Sequence, residues 1–183
     1  MVSPQSIMDT ASKKYYGYGV ILGRNEIGNY IMHGGGWPGY HTMLFRYVKD
    51  DLTIIVLSNN ESNSTMLAGA LAYIVTNREV VAPYKHLAIP IDTTIIGRYV
   101  GKYIVPNIPS PTKMELTKKG GKLYYHFEKA TSDFELQSES KTKFFDGNHG
   151  ADFQIEFETD SSEKVAKVFI IVNSMKKEID KIE

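Results

Sequence analysis

Two kinds of hydrophobic pattern follow one another along the chain. In the first half a Tyr- and Gly-rich run at 15–24 is followed by apolar runs at 41–48 and 52–57. Such runs of β-branched and aromatic residues predict strands, and the unbroken run 52–57 predicts a central strand covered on both faces. Turn-forming residues at 25–28 predict a hairpin into 29–33. Residues 1–14 show no clear period and predict a loop or a short helix.

A helical pattern follows these strands at 61–79. Its apolar residues recur at intervals of three and four and are Leu67, Ala70, Leu71, Ile74 and Val75. This spacing predicts an amphipathic helix that packs on the sheet through these side chains. The residues predicted to cap its start are Asn60, Ser62 or Ser64.

Short alternating runs separated by turns make up the second half. They predict strands at 99–105, 114–117, 123–127, 134–136, 143–145, 153–157 and 165–172. The sequence Lys118-Lys119-Gly120-Gly121 predicts a hairpin between two of them. Many short strands with polar outward positions are typical of an antiparallel barrel or sandwich.

The distribution of charge predicts two units. Residues 1–92 carry 7 basic and 7 acidic side chains, and residues 93–183 carry 14 of each. Charge density therefore doubles near residue 92 without a change in net charge. Because Pro83 and Pro90 interrupt the segment before this change, we predict a first unit at 1–82, a linker at 83–93 and a second unit at 94–183.

Composition excludes several kinds of partner. Lys and Arg total 21, as do Asp and Glu, so the basic surface of a nucleic-acid-binding domain is absent. The chain has no Cys, which excludes disulfides and thiolate metal sites. No run approaches the roughly 18 apolar residues that a membrane span requires. The histidines His41, His86, His126 and His149 lack metal-ligand spacing, so we interpret them as surface or strand residues and predict no metal or cofactor.

The stretch at 33–40 reads His-Gly-Gly-Gly-Trp-Pro-Gly-Tyr and is interpreted as the end of one strand and the turn into the next. Three glycines in succession cost backbone entropy and give the core no side chain. Without a Cβ, the backbone of Gly34, Gly35 and Gly36 is open to a ligand or another strand. A β-bulge or tight turn without a ligand is the other interpretation, and the residues alone leave both open.

The order of four short motifs resembles the C-terminal part of the penicillin-recognising serine hydrolases, which include class C β-lactamases, D-Ala-D-Ala carboxypeptidases and related esterases. The motifs lie within residues 1–80 and are Tyr16-Gly17-Tyr18-Gly19, His33-Gly34-Gly35, Gly39-Tyr40 and Ile55-Val56-Leu57-Ser58-Asn59. His33-Gly34-Gly35 matches the third motif of this family, written Lys-Thr-Gly and often His-x-Gly in this branch.

This resemblance implies an α+β fold, with a partial β-lactamase/transpeptidase-like antiparallel sheet and a C-terminal helix. Beginning with the stretch Ile96–Tyr103, the second half of the chain resembles the all-β lipocalin-like antiparallel barrel found as an additional domain in some members. This resemblance is more diffuse. The resemblance further implies that Met1 lies inside a longer, extracytoplasmic or periplasmic parent protein. Exposed edges of such a partial sheet favour self-association by strand pairing.

The resemblance also implies roles for the motif residues. His33 and Gly36 are the candidate catalytic residues: the His33 side chain helps to hold the substrate carboxylate, and the Gly36 N–H is one of two donors to the oxyanion. Gly34 and Gly35 keep the strand edge open for substrate. Trp37 and Tyr40 either form a wall of the substrate cleft or anchor the turn in the core.

The family nucleophile belongs to a Ser-x-x-Lys helix, helped by a Tyr-x-Asn or Ser-x-Asn loop, and both precede the third motif. Here the formal matches follow it, at Ser110–Lys113, Ser138–Lys141, Ser140–Lys143, Ser161–Lys164 and Ser174–Lys177. We interpret them as chance, and Ser58-Asn59-Asn60 as a turn or helix cap. The chain is therefore predicted to be catalytically silent.

Two functions follow for the protein. The first is a fragment of a serine hydrolase whose parent transfers an acyl group from a β-lactam, a D-Ala-D-Ala peptide or another ester or amide. The second is a non-enzymatic barrel that binds a small apolar ligand, a cell-wall fragment or a protein partner.

Overall fold

A computed structural model describes residues 3–10, 13–60, 62–106, 111–147 and 153–182. The interpretations of His149 and Ser110 lie outside these ranges. The described chain is mostly β with one α-helix, and it divides into two compact units between Val80 and Val81. No helix in the described ranges is long and apolar enough to cross a membrane.

The first unit is a six-stranded antiparallel sheet whose strands neighbour one another in chain order. The strands are β1 (Ser6–Asp9), β2 (Lys14–Tyr16), β3 (Ile21–Arg24), β4 (Asn29–Trp37), β5 (Tyr40–Tyr47) and β6 (Leu52–Ser58). Helix α1 (Ser64–Val75) follows β6 and packs on β5 and β6.

The start of the chain differs from its prediction. Residues predicted as a loop or helix form β1 and β2, which pair with each other from Ser6↔Tyr16 onward. The predicted strand at 15–24 is split by a turn, in which the Gly17 N–H donates to the Val20 carbonyl over 2.7 Å and Gly19 has φ +76°. A side chain would be strained at that φ, so glycine breaks the run.

Helix α1 is confirmed as an element, but its predicted packing face is wrong. Ala68 and Ala72 are buried against the aromatic residues of the sheet, which include Tyr30 and Phe45. The larger apolar side chains are exposed, namely Leu67, Leu71, Ile74 and Val75. Because the sheet supplies the bulky side chains, small helix residues allow the closest approach.

The predicted caps of α1 are also wrong. The cap is Asn63, whose side chain accepts from the Met66 N–H. Asn60 accepts instead from the Ser62 N–H in the preceding turn.

Strand β6 is an edge strand of the described sheet, and helix α1 provides the predicted cover on one of its faces. Ile54 is buried under α1, whereas Ile55 and Leu57 are 62% and 78% exposed on the opposite face. A continuous apolar run predicts a strand but does not contain information about which neighbours will cover it.

The second unit is a closed antiparallel barrel of eight strands. A 3₁₀ helix (Ile95–Tyr99) precedes β7 (Gly101–Val105), β8 (Thr112–Lys119), β9 (Lys122–Phe127), β10 (Phe134–Ser138), β11 (Lys143–Phe145), β12 (Phe153–Thr159), β13 (Val165–Val172) and β14 (Met175–Lys181). The predicted antiparallel barrel is confirmed. Its β8–β9 hairpin turns at Gly120 and Gly121, whose φ values of +56° and +79° fit a type I′ turn.

Strand β14 is absent from the sequence prediction because most of its residues are charged. It nevertheless closes the barrel by pairing with β7 at Asp180↔Ile104 and Lys181↔Tyr103. Among the residues of β14, Ile179 is buried in the core.

Aromatic side chains fill the interior of the barrel. Tyr99 and Phe157 stack with ring centroids 4.1 Å apart, and Phe144 meets the Phe157 ring edge-on at 6.0 Å. The Tyr103 hydroxyl donates to the Tyr99 carbonyl over 2.6 Å, and burial raises the pKa of Tyr103. The core is thus made by side chains of the barrel itself.

Candidate functional site

Strand β4 continues through the glycines and forms the candidate site. It pairs with β5 in one unbroken register from Tyr30↔Tyr47 to Trp37↔Tyr40. The turn predicted within 33–40 lies at Pro38 and Gly39, and the three glycines themselves form neither a turn nor a bulge. Pro38 restricts its own φ and Gly39 has φ +84°, as a type II turn requires. The glycines keep a partner strand on one side.

On its other side, β4 has a partner for only part of its length. β3 pairs with it from Arg24↔Asn29 to Ile21↔Met32. The pairing goes no further because β3 begins at Ile21, directly after the turn at Gly17–Val20 that connects it to β2. No described strand lies beside residues 33–37 on this side. One edge of the glycine segment is therefore open.

The hydrogen-bond pattern shows which backbone groups face the open edge. The Asn25 N–H donates to the Gly28 carbonyl over 3.0 Å, which makes this a hydrogen-bonded pair of the β3–β4 hairpin. Since such pairs alternate along antiparallel strands, every second residue of β4 turns its N–H and C=O toward the β3 side. Gly34 and Gly36 belong to this set, so their N–H and C=O groups face the open edge.

The turn between β4 and β5 leads independently to the same assignment. A two-residue turn is closed by a hydrogen-bonded pair, here Trp37 and Tyr40. Alternation from this pair directs the backbone groups of Gly35 and His33 toward β5. The remaining residues, Gly34 and Gly36, again face away from β5.

The side chains of His33, Trp37 and Tyr40 share the face of the sheet opposite α1, because their register positions alternate with the buried residue Met43. Trp37 is 76% exposed and Tyr40 61%, so the interpretation of these residues as core anchors is wrong. His33 is exposed as well.

Packing against β5 leaves little room for a side chain at two of the three glycines. A Cβ on Gly34 would lie 2.8 Å from the Met43 Cε, and one on Gly35 would lie 2.9 Å from the Thr42 Oγ1. At Gly36 the nearest atom is the His41 Nδ1, at 3.4 Å, which a small shift of the ring accommodates. Packing within the described chain therefore does not require glycine at position 36.

His41 is a site residue that sequence reasoning missed. It lies on β5 directly opposite Gly36, with its ring beside the position that a side chain there would occupy. A Pro38-Gly39 turn of two residues already pairs residue 36 with residue 41. Recognising this turn in the sequence would have placed His41 beside the glycine segment.

Four of the five formal Ser-x-x-Lys serines lie in the described part of the barrel. Ser138 Oγ donates to the Ile89 carbonyl over 2.7 Å, and Ser140 Oγ accepts from the Thr142 and Lys143 N–H groups. Ser161 and Ser174 occupy turns. None of these four described serines lies on a helix.

The formal Ser-x-Asn sequence at 58–60 forms a turn that is held by its own side chains: Ser58 Oγ donates to Asn60 Oδ1 over 2.7 Å. Within the described ranges, no group of three or more His, Asp or Glu side chains is placed to hold a metal ion.

Residues 85–181, more than half of the chain, match the family described as a domain of unknown function (DUF3471). The chain belongs to the DUF3471 family. The match covers the barrel, so the family assignment rests on the second unit. The glycine segment lies outside the matched residues.

The DUF3471 chain is also similar to penicillin-binding protein 4* of Bacillus subtilis (strain 168), with 32% identity over 163 residues. The alignment covers 85% of this chain and is longer than the barrel unit, so it extends into the sheet. It covers 34% of the relative, so the DUF3471 chain spans about a third of that protein's length. The predicted relationship to penicillin-binding proteins is thus supported by sequence.

Two solved structures resemble the DUF3471 chain weakly. The crystal structure of SurE with D-Leu has 17% identity and a TM-score of 0.42, covering 92% of this chain and 39% of that one. The octameric penicillin-binding protein homologue from Pyrococcus abyssi has 19% identity and a TM-score of 0.35, covering 97% and 39%. Scores this low do not establish a common fold.

Proposed function

We propose that the chain supplies the third-motif strand of a serine hydrolase related to penicillin-binding proteins. The parent enzyme transfers an acyl group from a β-lactam, a D-Ala-D-Ala peptide or another ester or amide to a serine, and then to water. The observation that carries this proposal is the open backbone edge at Gly34 and Gly36. The sequence similarity to penicillin-binding protein 4* supports it.

In this proposal an extended substrate lies along the open edge of β4. The N–H groups of Gly34 and Gly36 point the same way and are two residues apart, about 7 Å along a strand. That spacing matches successive same-side groups of an extended peptide, as in recognition by strand addition.

The Gly36 N–H is assigned to the oxyanion that forms when the carbonyl is attacked. An N–H in a strand is held in place by the backbone, so it needs no reorganisation as charge develops. Loss of one such donor costs on the order of 3 kcal/mol in other hydrolases. The second donor, the nucleophile and the general base come from other parts of the parent enzyme.

His33 has the role of orienting the substrate carboxylate. Its exposed side chain lies on the same face as Trp37 and Tyr40, which then form an aromatic wall of the cleft. An imidazole donor beside an open edge suits an acceptor group at the end of a short peptide.

The wider architecture is part of the same proposal. The six-stranded sheet with α1 is assigned to the C-terminal portion of a β-lactamase/transpeptidase-like domain, and the barrel to an appended lipocalin-like domain. The sheet lacks a second cover in its described part, which agrees with a parent protein that is longer than this chain. The similarity of 85% of this chain to about a third of penicillin-binding protein 4* points the same way.

The rival function, a barrel that binds a small apolar ligand, has no comparable support. A cavity of about 340 Å³ lies between residues 88–93 and strands β9 and β10. Its lining includes Leu123, Leu136 and Phe144, which already belong to the packed core of the barrel.

The chain on its own is expected to be silent toward β-lactams. A fluorescent penicillin should label no serine in it, and a chromogenic cephalosporin should remain intact, because the attacking residue is encoded elsewhere. Penicillin-binding protein 4* treated in parallel serves as the positive control. Covalent labelling of any serine in this chain, located by mass spectrometry, would refute the claim.

A further inference from the structure

The first residues of the second unit form a strap that lies against the barrel. Residues 81–89, which we call the strap, are all described and contain no helix or strand. At one end the Val81 N–H donates to the Ser174 carbonyl, over 2.8 Å, in the turn between β13 and β14. At the other end the Ile89 N–H donates to the Ser138 carbonyl over 2.8 Å, and Ser138 Oγ donates back to the Ile89 carbonyl. The strap is therefore bound to the barrel at both ends.

Between these ends the strap covers part of the outer face of β11 and β12. Phe145 and Gln154 oppose each other on these strands and point outward, because Phe145 alternates with the core residue Phe144. Phe145 is nevertheless only 7% exposed and Gln154 only 3%. The His86 ring stacks on Phe145 with centroids 4.7 Å apart, and the Tyr84 hydroxyl lies 3.2 Å from Gln154 Oε1. Two outward-facing residues of the barrel are thus in contact with the strap.

One carboxylate holds the middle of the strap. Glu139 lies just after β10, and its Oε2 accepts from the Tyr84 hydroxyl over 2.5 Å. Its Oε1 lies 3.1 Å from His86 Nδ1, and the side chains of His86 and Glu139 are each only 17% exposed. Hydrogen bonds to a carboxylate are stronger than those between neutral groups. Loss of the Glu139 carboxylate should therefore loosen the strap.

We propose that the strap opens locally, without unfolding of the barrel, and that its closure by Glu139 protects the start of the second unit from proteolysis. The strap lies outside the closed ladder of eight strands, so its opening breaks no pairing between them. Segments held by few backbone hydrogen bonds open at a lower free energy than the whole domain. Lys85 has an exposed side chain but lies between two residues that are bound to Glu139. A protease can therefore accept the main chain at Lys85 only when the strap has opened.

Trypsin, which cleaves after Lys and Arg, tests the strap at the bond between Lys85 and His86. The initial rate is measured by mass spectrometry of the fragments, and near-ultraviolet circular dichroism shows that the barrel is folded. The unmodified chain should be cleaved at this bond much more slowly than a chain unfolded in urea. Glu139→Ala should be cleaved about tenfold faster than the unmodified chain, because both of its contacts with the strap are lost.

Two further variants make the test specific. Tyr84→Phe keeps the ring, removes the hydroxyl and should raise the cleavage rate severalfold. Glu135→Ala is the matched control on β10, since Glu135 accepts from the Tyr124 hydroxyl and pairs with Lys122, both of which lie on β9 and not on the strap. This control should leave the cleavage rate after Lys85 unchanged.

Urea below the unfolding transition distinguishes local opening from global unfolding. Local opening exposes little surface, so the rate of cleavage after Lys85 should change little with urea, whereas cleavage through global unfolding would rise steeply. A steep rise would overturn the proposal. Cleavage of the unmodified chain as fast as the unfolded one would do so too, as would a Glu139→Ala variant that is cleaved no faster than Glu135→Ala.

Discussion

Replacement of Gly36 by proline is expected to lower acylation by a fluorescent penicillin about 10²–10³-fold in a chimera where this chain replaces the matching third of penicillin-binding protein 4*. The variant removes one N–H, the one that faces the open edge of β4. Since this N–H makes no bond to β5, the ladder between the strands remains, and proline is tolerated at such positions. The measurement is the acylation rate with saturating and limiting penicillin.

The matched control is Gly36→Ala, which keeps the N–H and adds only a Cβ that lies 3.4 Å from the His41 Nδ1. This variant should stay within a few-fold of the unmodified chimera, because the ring of His41 can shift. Equal losses in both variants would mean that space at position 36, and not the N–H, is what matters. A proline variant that keeps its acylation rate would show that the Gly36 N–H does not bind the oxyanion.

Truncation of Phe157 to alanine is expected to have the largest effect on stability. Phe157 is fully enclosed in the barrel, stacked on Tyr99 and in edge contact with Phe144. Loss of a core phenyl ring leaves a cavity and costs about 3–5 kcal/mol. For a unit of this size that corresponds to a fall in melting temperature of roughly 15–30 °C, read from near-ultraviolet circular dichroism.

Phe169→Ala provides the comparison on the same sheet. Phe169 lies on the outer face of β13, half-buried, with the Lys176 Nζ 4.4 Å from its ring centroid. Its loss removes a partly exposed cation–π contact and should cost about 1 kcal/mol. Equal destabilisation by the two variants would contradict the assignment of the core to the inner face.

The sequence contains the local features of this fold. The Gly120-Gly121 turn follows from its own residues, because both positions require positive φ, and alternating runs such as 153–157 predict strands wherever a partner exists. Strand β14 could not be predicted from composition, since a mostly charged segment becomes a strand only through its pairing with β7. This pairing joins the first and last strands of the barrel, which are far apart in the sequence. No local sequence pattern therefore indicates it.

Burial depends on partners that are distant in sequence, and the first unit shows this twice. The apolar residues of α1 predicted a packing face, yet Ala68 and Ala72 are the ones buried, because the sheet surface is already bulky. The continuous run of β6 predicted a central strand, yet its neighbour on one side is missing from the described chain.

The candidate site lies between these cases. The three glycines predicted an open strand edge, but the sequence could not show which of them face it. That depends on where β3 ends, and hence on the turn at Gly17–Val20. The same turn leaves Gly34 and Gly36 without a second neighbour, and the motif order that suggested a penicillin-binding-protein relative agrees with the similarity found over 85% of the chain.

Amide hydrogen exchange of β4, followed residue by residue by NMR, tests the open edge most directly. The N–H groups of Gly34 and Gly36 should exchange almost as fast as in an unfolded chain, whereas those of His33 and Gly35 should be protected by β5. Slow exchange at Gly34 and Gly36 would mean that another part of the protein already occupies the edge, and the proposed path for a substrate would be closed.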